Sequence, residues 1–347
     1  SANTVLYGSS STSPIVNLDV NGCQNNGINL SYRSFPSGFA YNRYHNGGIE
    51  SVAIVSYGNG NCIDMTQVSN VNVKNISLLT TGNGYLTYVY ACNGIHYTDV
   101  TATNNLGRGI VVFDTADSLF SRLNYGGSYG PCFWLAGNGN ILSDSLIWNS
   151  AAPSSTYNIP ISSSGTDTIY AISHSYKTGD VVTISGSNLP SNFSPYNSFW
   201  VYKVDSNNIK LNNSRQSVLS GSGLTPTVPF TSSIHTIIPG PITNLFVGGN
   251  NSSTTQINTI NSNRLDQCYE AGVILSNTRD NVLTNNAIVD AYYNNTSTAP
   301  IRPSVLVISG SYGNVIDGNQ YENVHTAYAN ESVYQDASSA NRNYVDK

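Results

Sequence analysis

The sequence NTINSNRL at residues 258–265 recurs as NVLTNNAI at 281–288 and as NVIDGNQY at 314–321. The first two copies start 23 residues apart, and the third starts 33 residues later because the segment 292–303 lies between them as an extra loop. Aligning the copies gives three columns: Ile260, Leu283 and Ile316; Asn263, Asn286 and Asn319; and Leu265, Ile288 and Tyr321. A fixed period of this kind indicates a repeat architecture.

The same period runs through residues 39–153, where apolar residues return every 23 or 24 residues and most repeats end in Gly- and Asn-rich turns. In the last of these repeats, the apolar positions are Ile141, Leu146 and Trp148. Such repeats are too short and too rich in β-forming residues for helical hairpins, and they fit coils of a solenoid of short strands. A column of Asn amides can donate and accept hydrogen bonds along the stack. We therefore predict an all-β solenoid of 23–24-residue coils.

The composition is typical of β structure and excludes several functions. Only 10% of the 347 residues are charged, the net charge is −5, and the chain holds 47 Asn and 48 Ser. The lack of excess cations excludes a nucleic-acid partner, and no apolar run is long enough for a membrane span. The five cysteines form no CxxC pair, so we expect buried free thiols and neither a metal site nor a cofactor.

The periodicity resembles the right-handed parallel β-helix of the pectate-lyase-like superfamily, and within it the bacteriophage tailspike or capsule-depolymerase domains. The resemblance covers roughly residues 15–154 and 240–330 and is carried by GIVV at 109–112, GVIL at 272–275 and the N-φ-x-x-x-N turns. It implies a virion tail protein that acts outside the cell on a bacterial polysaccharide, capsule or O-antigen, as a homotrimer. We see no signal peptide at the start of the chain.

Residues 155–237 break the repeat and are predicted to form an inserted small β domain between coils 1–154 and 238–347. The stretches TGDVVTIS at 178–185 and FWVYKVDSNNIKL at 199–211 have the pattern of strands joined by turns. Two roles are open for this insertion: it protects the edge of the coils, or it forms one wall of a carbohydrate groove.

One strand per coil is apolar at every position, which predicts burial on both sides. These strands are GIVVF at 109–113, CFWLA at 132–136, AGVIL at 271–275 and SVLVI at 304–308. The outward side chains Val111, Phe113, Trp134, Ile274 and Leu306 then need a cover, and we expect a partner subunit to supply it, as in a homotrimer. The outward residues of the next strand form an open polar face: Lys74, Thr98, Ser121, Asp144, Thr284 and Asp317.

Hydrolysis of a glycosidic bond needs two carboxyl groups about 5–9.5 Å apart. The catalytic candidates are Glu270 and Asp266, which lie just after the insertion, together with Asp114 and Asp144. Asp117 falls at a position of the Asn column and is interpreted as structural. Asp99 and Arg122 lie one coil apart in one column and are expected to form a salt bridge.

A polysaccharide lyase would need a base and a group that neutralises the carboxylate of an acidic sugar. The candidates for these two roles are His96 and Tyr97 with Arg122, or Arg108 near Tyr269. The candidate substrate-binding residues are Arg122, Arg108, Tyr269 and His96. The sequence therefore predicts a tailspike-type glycoside hydrolase. A polysaccharide lyase and a non-catalytic receptor-binding or structural β-helix remain as alternatives.

Overall fold

The structure is a computed structural model of the whole chain. It describes residues 6–7, 15–23, 27–31, 47–56, 61–80, 84–102, 108–127, 131–150, 157–158, 161–162, 166–171, 173–174, 176–186, 189–193, 197, 199–227, 230–231, 235–238, 243–248, 255–268, 271–291, 303–322, 332–340 and 342–346.

A ten-stranded parallel sheet forms the first face of the molecule, with one strand from each coil. Its strands, in spatial order, are Leu6–Tyr7, Ile28–Ser31, Ile63–Thr66, Tyr85–Tyr90, Arg108–Ala116, Phe133–Asn138, Leu245–Gly248, Val273–Ser276, Val305–Ile308 and Val333–Gln335. We call this sheet face 1. The strand Phe133–Asn138 pairs directly with Leu245–Gly248, so the stack continues across the insertion without a break.

A second parallel sheet bends in the middle and supplies the other two faces. Its strands are Ile15–Cys23, Gly48–Ser56, Asn72–Thr80, His96–Ala102, Leu119–Gly126, Ile141–Ser143, Leu146–Ser150, Thr259–Asn261, Arg264–Cys268, Val282–Thr284, Ala287–Ala291, Val315–Asp317, Gln320–Glu322 and Tyr344–Val345. Face 2 is the part before the bend, and face 3 is the part after it. The bend interrupts the strand in the later coils, as between Ile141–Ser143 and Leu146–Ser150.

A column of left-handed residues makes this bend. Its members have φ between 51° and 61°: Ser51, Asn75, Asp99, Arg122, Asp144, Ser262, Asn285 and Gly318. Asn, Asp and Gly tolerate this conformation best, which explains why small polar residues and Gly recur here. Together the three faces form the right-handed parallel β-helix that the repeat predicts. The interior holds one continuous column of apolar side chains from Ile28 to Ile316.

Buried Asn side chains link the later coils, as the repeat predicts. Asn286 Oδ1 accepts hydrogen bonds from Asn263 N and Nδ2, and Asn319 Oδ1 accepts from Asn286 in the same way, at 2.9–3.0 Å. A second ladder runs through Asn140, Asn258, Asn281, Asn314 and Asn343. Asp117 belongs to neither ladder: it lies at an exposed left-handed position, and the ladder position is held by Ser118, which bonds to Asn140.

The repeat containing Trp148 is one residue out of the predicted phase. Leu142 and Ile147 are fully buried, whereas Ile141 is 41% exposed and Trp148 lies on the outside of face 3. The cause is the shorter coil: the left-handed residues Arg122 and Asp144 are separated by 22 residues instead of 23 or 24. A shift of one residue turns every side chain of a strand to its other side.

Between residues 157 and 238, the described residues form antiparallel strands and one short helix, where the sequence predicts an inserted small β domain. Its six-stranded sheet has the order Tyr157–Asn158, Thr236–Ile238, Val181–Ser185, Phe199–Lys203, Asn208–Asn212 and Thr168–Tyr170. A two-stranded sheet joins Ile161–Ser162 to Phe230–Thr231, and the helix spans Arg215–Leu219. The domain has its own core around Phe193, Phe199 and Phe230.

This domain packs on the outside of face 1. Trp200 contacts Phe113 and Tyr90, with ring centroids 5.1 and 5.6 Å apart, and Val181 N donates to the Tyr85 hydroxyl oxygen at 3.1 Å. As a result, Phe113 and Trp134 are 5% and 0% exposed within a single chain. The expectation that a partner subunit covers the stripe Val111, Phe113, Trp134 and Ile274 is therefore wrong, because these side chains are covered within the chain.

Cys62, Cys92, Cys132 and Cys268 are free and buried, as predicted for these thiols. Burial raises the pKa of the Cys92 thiol to about 12, so this side chain is an inert part of the core. In the described part of the chain, no helix has the length and apolarity needed to span a membrane.

Candidate functional site

The outside of face 3 carries an indole that lies flat on the sheet. Trp148 is in register with Gly126 on the preceding coil, and a Cβ at Gly126 would come within 2.4 Å of two indole carbons. Only a residue without a side chain leaves room for the ring at this place. The indole Nε1 donates to Asn124 Oδ1 at 3.3 Å, which fixes the orientation of the ring. Trp148 stays partly exposed and presents an aromatic surface to solvent.

An ion pair borders this indole on the next coil. Asp266 is the register partner of Trp148, and its Oδ2 accepts hydrogen bonds from Arg264 Nη2 at 2.9 Å and Arg264 Nε at 3.2 Å. The two residues are two positions apart on one strand, so both side chains stand on the outside. The Arg264 side chain is 50% exposed and the Asp266 side chain 20%. We call Asn124, Trp148, Arg264 and Asp266 the Trp148 patch.

The Trp148 patch combines an aromatic surface with hydrogen-bonding groups of both kinds. An indole face suits the apolar side of a sugar ring, and carboxylate and guanidinium groups suit ring hydroxyls. The Asp266 carboxylate is held by the Arg264 guanidinium at 2.9 Å. A glycosidase would need a second carboxyl to donate the proton.

Three of the predicted site residues are not open to description. Glu270 and Tyr269 lie outside the described residues. For Arg108 the structure describes the backbone alone, which pairs with Tyr85 on the preceding coil. The proposed pair of Asp266 with Glu270 therefore stays a prediction.

Asp114 and Asp144 occupy exposed left-handed positions, with φ of 48° and 52°. Asp114 lies within the face 1 strand Arg108–Ala116, whereas Asp144 lies at the bend between faces 2 and 3. Asp144 precedes Trp148, the register partner of Asp266, by four residues. Neither acid belongs to the Trp148 patch.

The predicted polar column on face 2 is wrong in placing Asp144 next to Ser121. The register partner of Ser121 is Ser143, and Asp144 is the left-handed residue that follows it. Ser121 and Ser143 are 3% and 8% exposed, so this part of face 2 is not the open polar face that the sequence predicted.

The predicted salt bridge between Asp99 and Arg122 is confirmed. Arg122 Nε and Nη2 donate to the two Asp99 carboxylate oxygens at 2.6 and 2.9 Å. The hydrogen bond from Arg122 lowers the pKa of Asp99, and the pKa of Arg122 is raised in return. The Arg122 side chain is 57% exposed, and its guanidinium is already engaged with Asp99.

The prediction that Tyr97 is a lyase base is wrong. The side chain is fully buried, and its hydroxyl lies 2.6 Å from Thr87 Oγ1 inside the solenoid. Burial raises the pKa of Tyr97 far above its ordinary value, which is the opposite of what a base needs. His96 is exposed on the outside of face 2, since adjacent residues of a strand point to opposite sides. The structure thus separates this predicted pair.

Within the described coils, neither a cavity at the end of the stack nor a metal-binding cluster adds a residue to the Trp148 patch. A cavity of about 680 Å³ lies beside the last described coil and is lined by core residues such as Tyr321, Val333 and Val345, with Asp317 and Asp346 at its polar side. Its lining residue Tyr321 lies on the strand two coils beyond that of Asp266, and the cavity shares no residue with the Trp148 patch. Among the described residues, no group of three or more His, Cys, Asp or Glu side chains could hold a metal ion.

The sequence pattern does not predict Trp148, Asn124 and Arg264 as surface residues of a site. The phase of the repeat predicts Trp148 as an interior residue. The signal that could have found it is Gly126, one coil earlier, which breaks an otherwise polar and apolar alternation at the register position of the indole.

No family model matches the chain, and no curated protein is significantly similar to it. Among solved structures, the A-module of mannuronan C-5 epimerase AlgE4 from Azotobacter vinelandii is similar over 99% of this chain and 76% of its own, with 12% identity and a TM-score of 0.40. The A-module of AlgE6 from the same organism is similar over 98% and 83%, with 10% identity and a TM-score of 0.38. At these values the likeness is one of general architecture.

Proposed function

We propose that this chain binds a bacterial surface polysaccharide, capsule or O-antigen, across the Trp148 patch and hydrolyses it as a tailspike-type depolymerase of a phage virion. The observation that carries this proposal is the exposed indole of Trp148, held flat by Gly126 and Asn124 beside the Arg264–Asp266 ion pair. An aromatic side chain held against a rigid sheet loses little conformational freedom when a sugar stacks on it. A glycan suits this surface better than a nucleic acid does, since the chain has no excess of cations to neutralise phosphates.

For hydrolysis we assign Asp266 the role of nucleophile or base and Glu270 the role of proton donor. Glu270 follows Asp266 by four residues, so the pair is close in sequence. Asp266 also has its main-chain oxygen held by Asn244 Nδ2 at 2.8 Å, which fixes the strand that carries the carboxylate. Positioned carboxyls of this kind contribute about 100-fold or more to the rate.

A second candidate function is a receptor-binding β-helix that holds the glycan without cleaving it. The observation that favours it is that each described candidate acid has a structural role. Asp266 is paired with Arg264, Asp144 holds the left-handed position at the bend, and Asp114 holds a left-handed position within the strand Arg108–Ala116. A homotrimer remains a prediction from the resemblance alone, and light scattering on the full chain would measure it.

The test incubates the purified chain with a panel of capsular and lipopolysaccharide glycans and follows products by mass spectrometry. We expect shortened glycans from the wild type, a loss of at least ~100-fold in rate for Asp266→Asn with binding retained, and weaker binding for Trp148→Ala. Ser77→Ala, at an exposed position of face 3 outside the patch, is the matched control.

The outcomes separate the candidate functions. Unsaturated products would show that the chain cleaves the glycan by elimination, as a lyase, and not by hydrolysis. Binding that depends on Trp148 without any change in glycan size would support the receptor-binding function. Unchanged binding by Trp148→Ala would overturn the proposal that the Trp148 patch is the glycan site.

A further inference from the structure

Two arginines flank one tyrosine at the edge between face 1 and face 2. Arg279 Nη1 donates to the Tyr312 hydroxyl oxygen at 3.4 Å, and the Arg342 guanidinium carbon lies 4.9 Å from the centroid of the Tyr312 ring. The three residues come from three successive coils, and Arg279 and Tyr312 are partners in an isolated parallel bridge. This cluster lies on a different edge of the solenoid from the Trp148 patch.

The side chains of this cluster are held in place from below. Arg279 Nε donates to Gln256 Oε1, the preceding member of the same column. Arg342 Nη1 donates to Ser338 O at 3.4 Å, and the Arg342 carbonyl oxygen accepts from Gly313 N at 2.7 Å. The guanidinium groups are therefore positioned by the coils and not left to fold onto the surface at random.

The charge of the cluster is only partly offset. The chain has 14 Lys and Arg residues in all, and two of them, Arg279 and Arg342, contact the same side chain, Tyr312. Like charges on one ring repel each other. Among the described residues, the carboxylate within ion-pair distance is that of Asp280, whose Oδ2 lies 4.0 Å from Arg279 Nε. The nearby Asp336 carboxylate is occupied by Ser309 N, Ser338 Oγ and Ser339 N.

The donors of the cluster exceed the acceptors that it contains. A guanidinium carries five N–H donors in a planar fork, and the hydrogen bonds described above use two of them in Arg279 and one in Arg342. The phenol of Tyr312 accepts from Arg279 and keeps its own O–H to donate. Arg342 is exposed and the Arg279 side chain is 34% exposed, so solvent reaches both guanidinium groups.

From this arrangement we infer that Arg279, Tyr312 and Arg342 form a binding site for an oxyanion: the carboxylate, sulfate or phosphate group of an acidic polysaccharide, or the corresponding free ion. Planar guanidinium forks match the geometry of such groups and bind them bidentately. The site does not depend on the proposed function, since it shares no residue with the Trp148 patch. In a glycan-binding protein it would select acidic chains over neutral ones.

The first experiment titrates the full chain with sodium sulfate, and separately with sodium acetate, and follows the arginine side-chain N–H signals by NMR. We expect the Arg279 and Arg342 signals to shift together with saturation, and Arg342→Ala to weaken sulfate binding about tenfold or more. Arg342→Lys keeps the charge but loses the fork and should bind with intermediate affinity. Lys203→Ala, which removes an exposed cation of the inserted domain, is the matched control and should bind as the wild type does.

The second experiment separates a polymer-borne group from a free ion. An acidic oligosaccharide and its carboxyl-reduced counterpart are compared with the same variants, and thermal unfolding confirms that each variant is folded. Tighter binding of the acidic form, lost in Arg342→Ala, supports the polysaccharide source, whereas binding of sulfate alone supports the free ion. The inference is overturned if neither probe shifts the Arg279 and Arg342 signals, or if Arg342→Ala and Lys203→Ala behave alike.

Discussion

Replacing Asn263 by Ala should destabilise the solenoid more than any exposed substitution, because it removes the first rung of a buried ladder. The Asn263 side chain is 2% exposed and makes three hydrogen bonds. Its Nδ2 donates to Leu142 O at 3.1 Å and to Asn286 Oδ1 at 2.9 Å, and its Oδ1 accepts from Ser145 N at 3.1 Å. The amide thus joins three successive coils.

The size of the effect follows from the groups left without a partner. In Asn263→Ala, the backbone N–H of Ser145 is buried without an acceptor and the carbonyl of Leu142 loses its side-chain donor. Asn286 Oδ1 retains the bond from Asn263 N at 3.0 Å. A buried donor or acceptor left unpaired costs about 1–3 kcal/mol, so two such groups cost roughly 2–6 kcal/mol of the free energy of unfolding.

Urea unfolding followed by circular dichroism measures this free energy for the wild type, Asn263→Ala and the control Ser77→Ala. Ser77 is exposed on face 3, and its replacement should change the free energy of unfolding by no more than about 0.5 kcal/mol. Asn263→Asp should be at least as destabilising as Asn263→Ala, because it buries a carboxylate oxygen against two other oxygens, Leu142 O and Asn286 Oδ1. A loss below about 1 kcal/mol for both Asn263 variants would refute the ladder as a source of stability.

Three further predictions concern other parts of the molecule. Ile257 is 59% exposed and has a φ of 57°, an unfavourable backbone conformation for a β-branched residue. Ile257→Asn should therefore raise the free energy of unfolding by about 1 kcal/mol in the same assay, and an unchanged free energy would contradict backbone strain at this position. Trp200→Ala should weaken the docking of the inserted domain by about 3–5 kcal/mol, seen as faster hydrogen exchange at Val111 and Phe113, whereas Tyr170→Ala, at an exposed position, should not. Arg122→Ala should return the pKa of Asp99 towards its ordinary value in an NMR titration, and an unchanged pKa would contradict the role of Arg122. In the wild type, the stability that this pair contributes is present above the ordinary pKa of Asp and is lost as the pH falls through the lowered pKa of Asp99.

The candidate site was only partly predictable. Asp266 could be singled out because acids are scarce and it follows the insertion, and the Asp99–Arg122 pair follows from a separation of one coil. Tyr97 was misplaced because the sequence does not distinguish a tyrosine that bonds inside the solenoid from one that is available as a base. Trp148 was missed because the shorter coil reversed its side, and a single residue of phase decides between interior and surface.

The sequence by itself determined the coil. A period of 23 residues brings Asn263 over Asn286 and Leu265 over Ile288, because equal coil lengths stack equal positions at the strand spacing. Only the tertiary structure decided what covers face 1. Phe113 and Trp200 are 87 positions apart in the numbering, and their contact depends on how the folded insertion docks on the finished solenoid. No local pattern in the sequence encodes such docking, because hydrophobic burial is not directional. Any sufficiently apolar surface, from this chain or another, could cover the same apolar side chains of face 1.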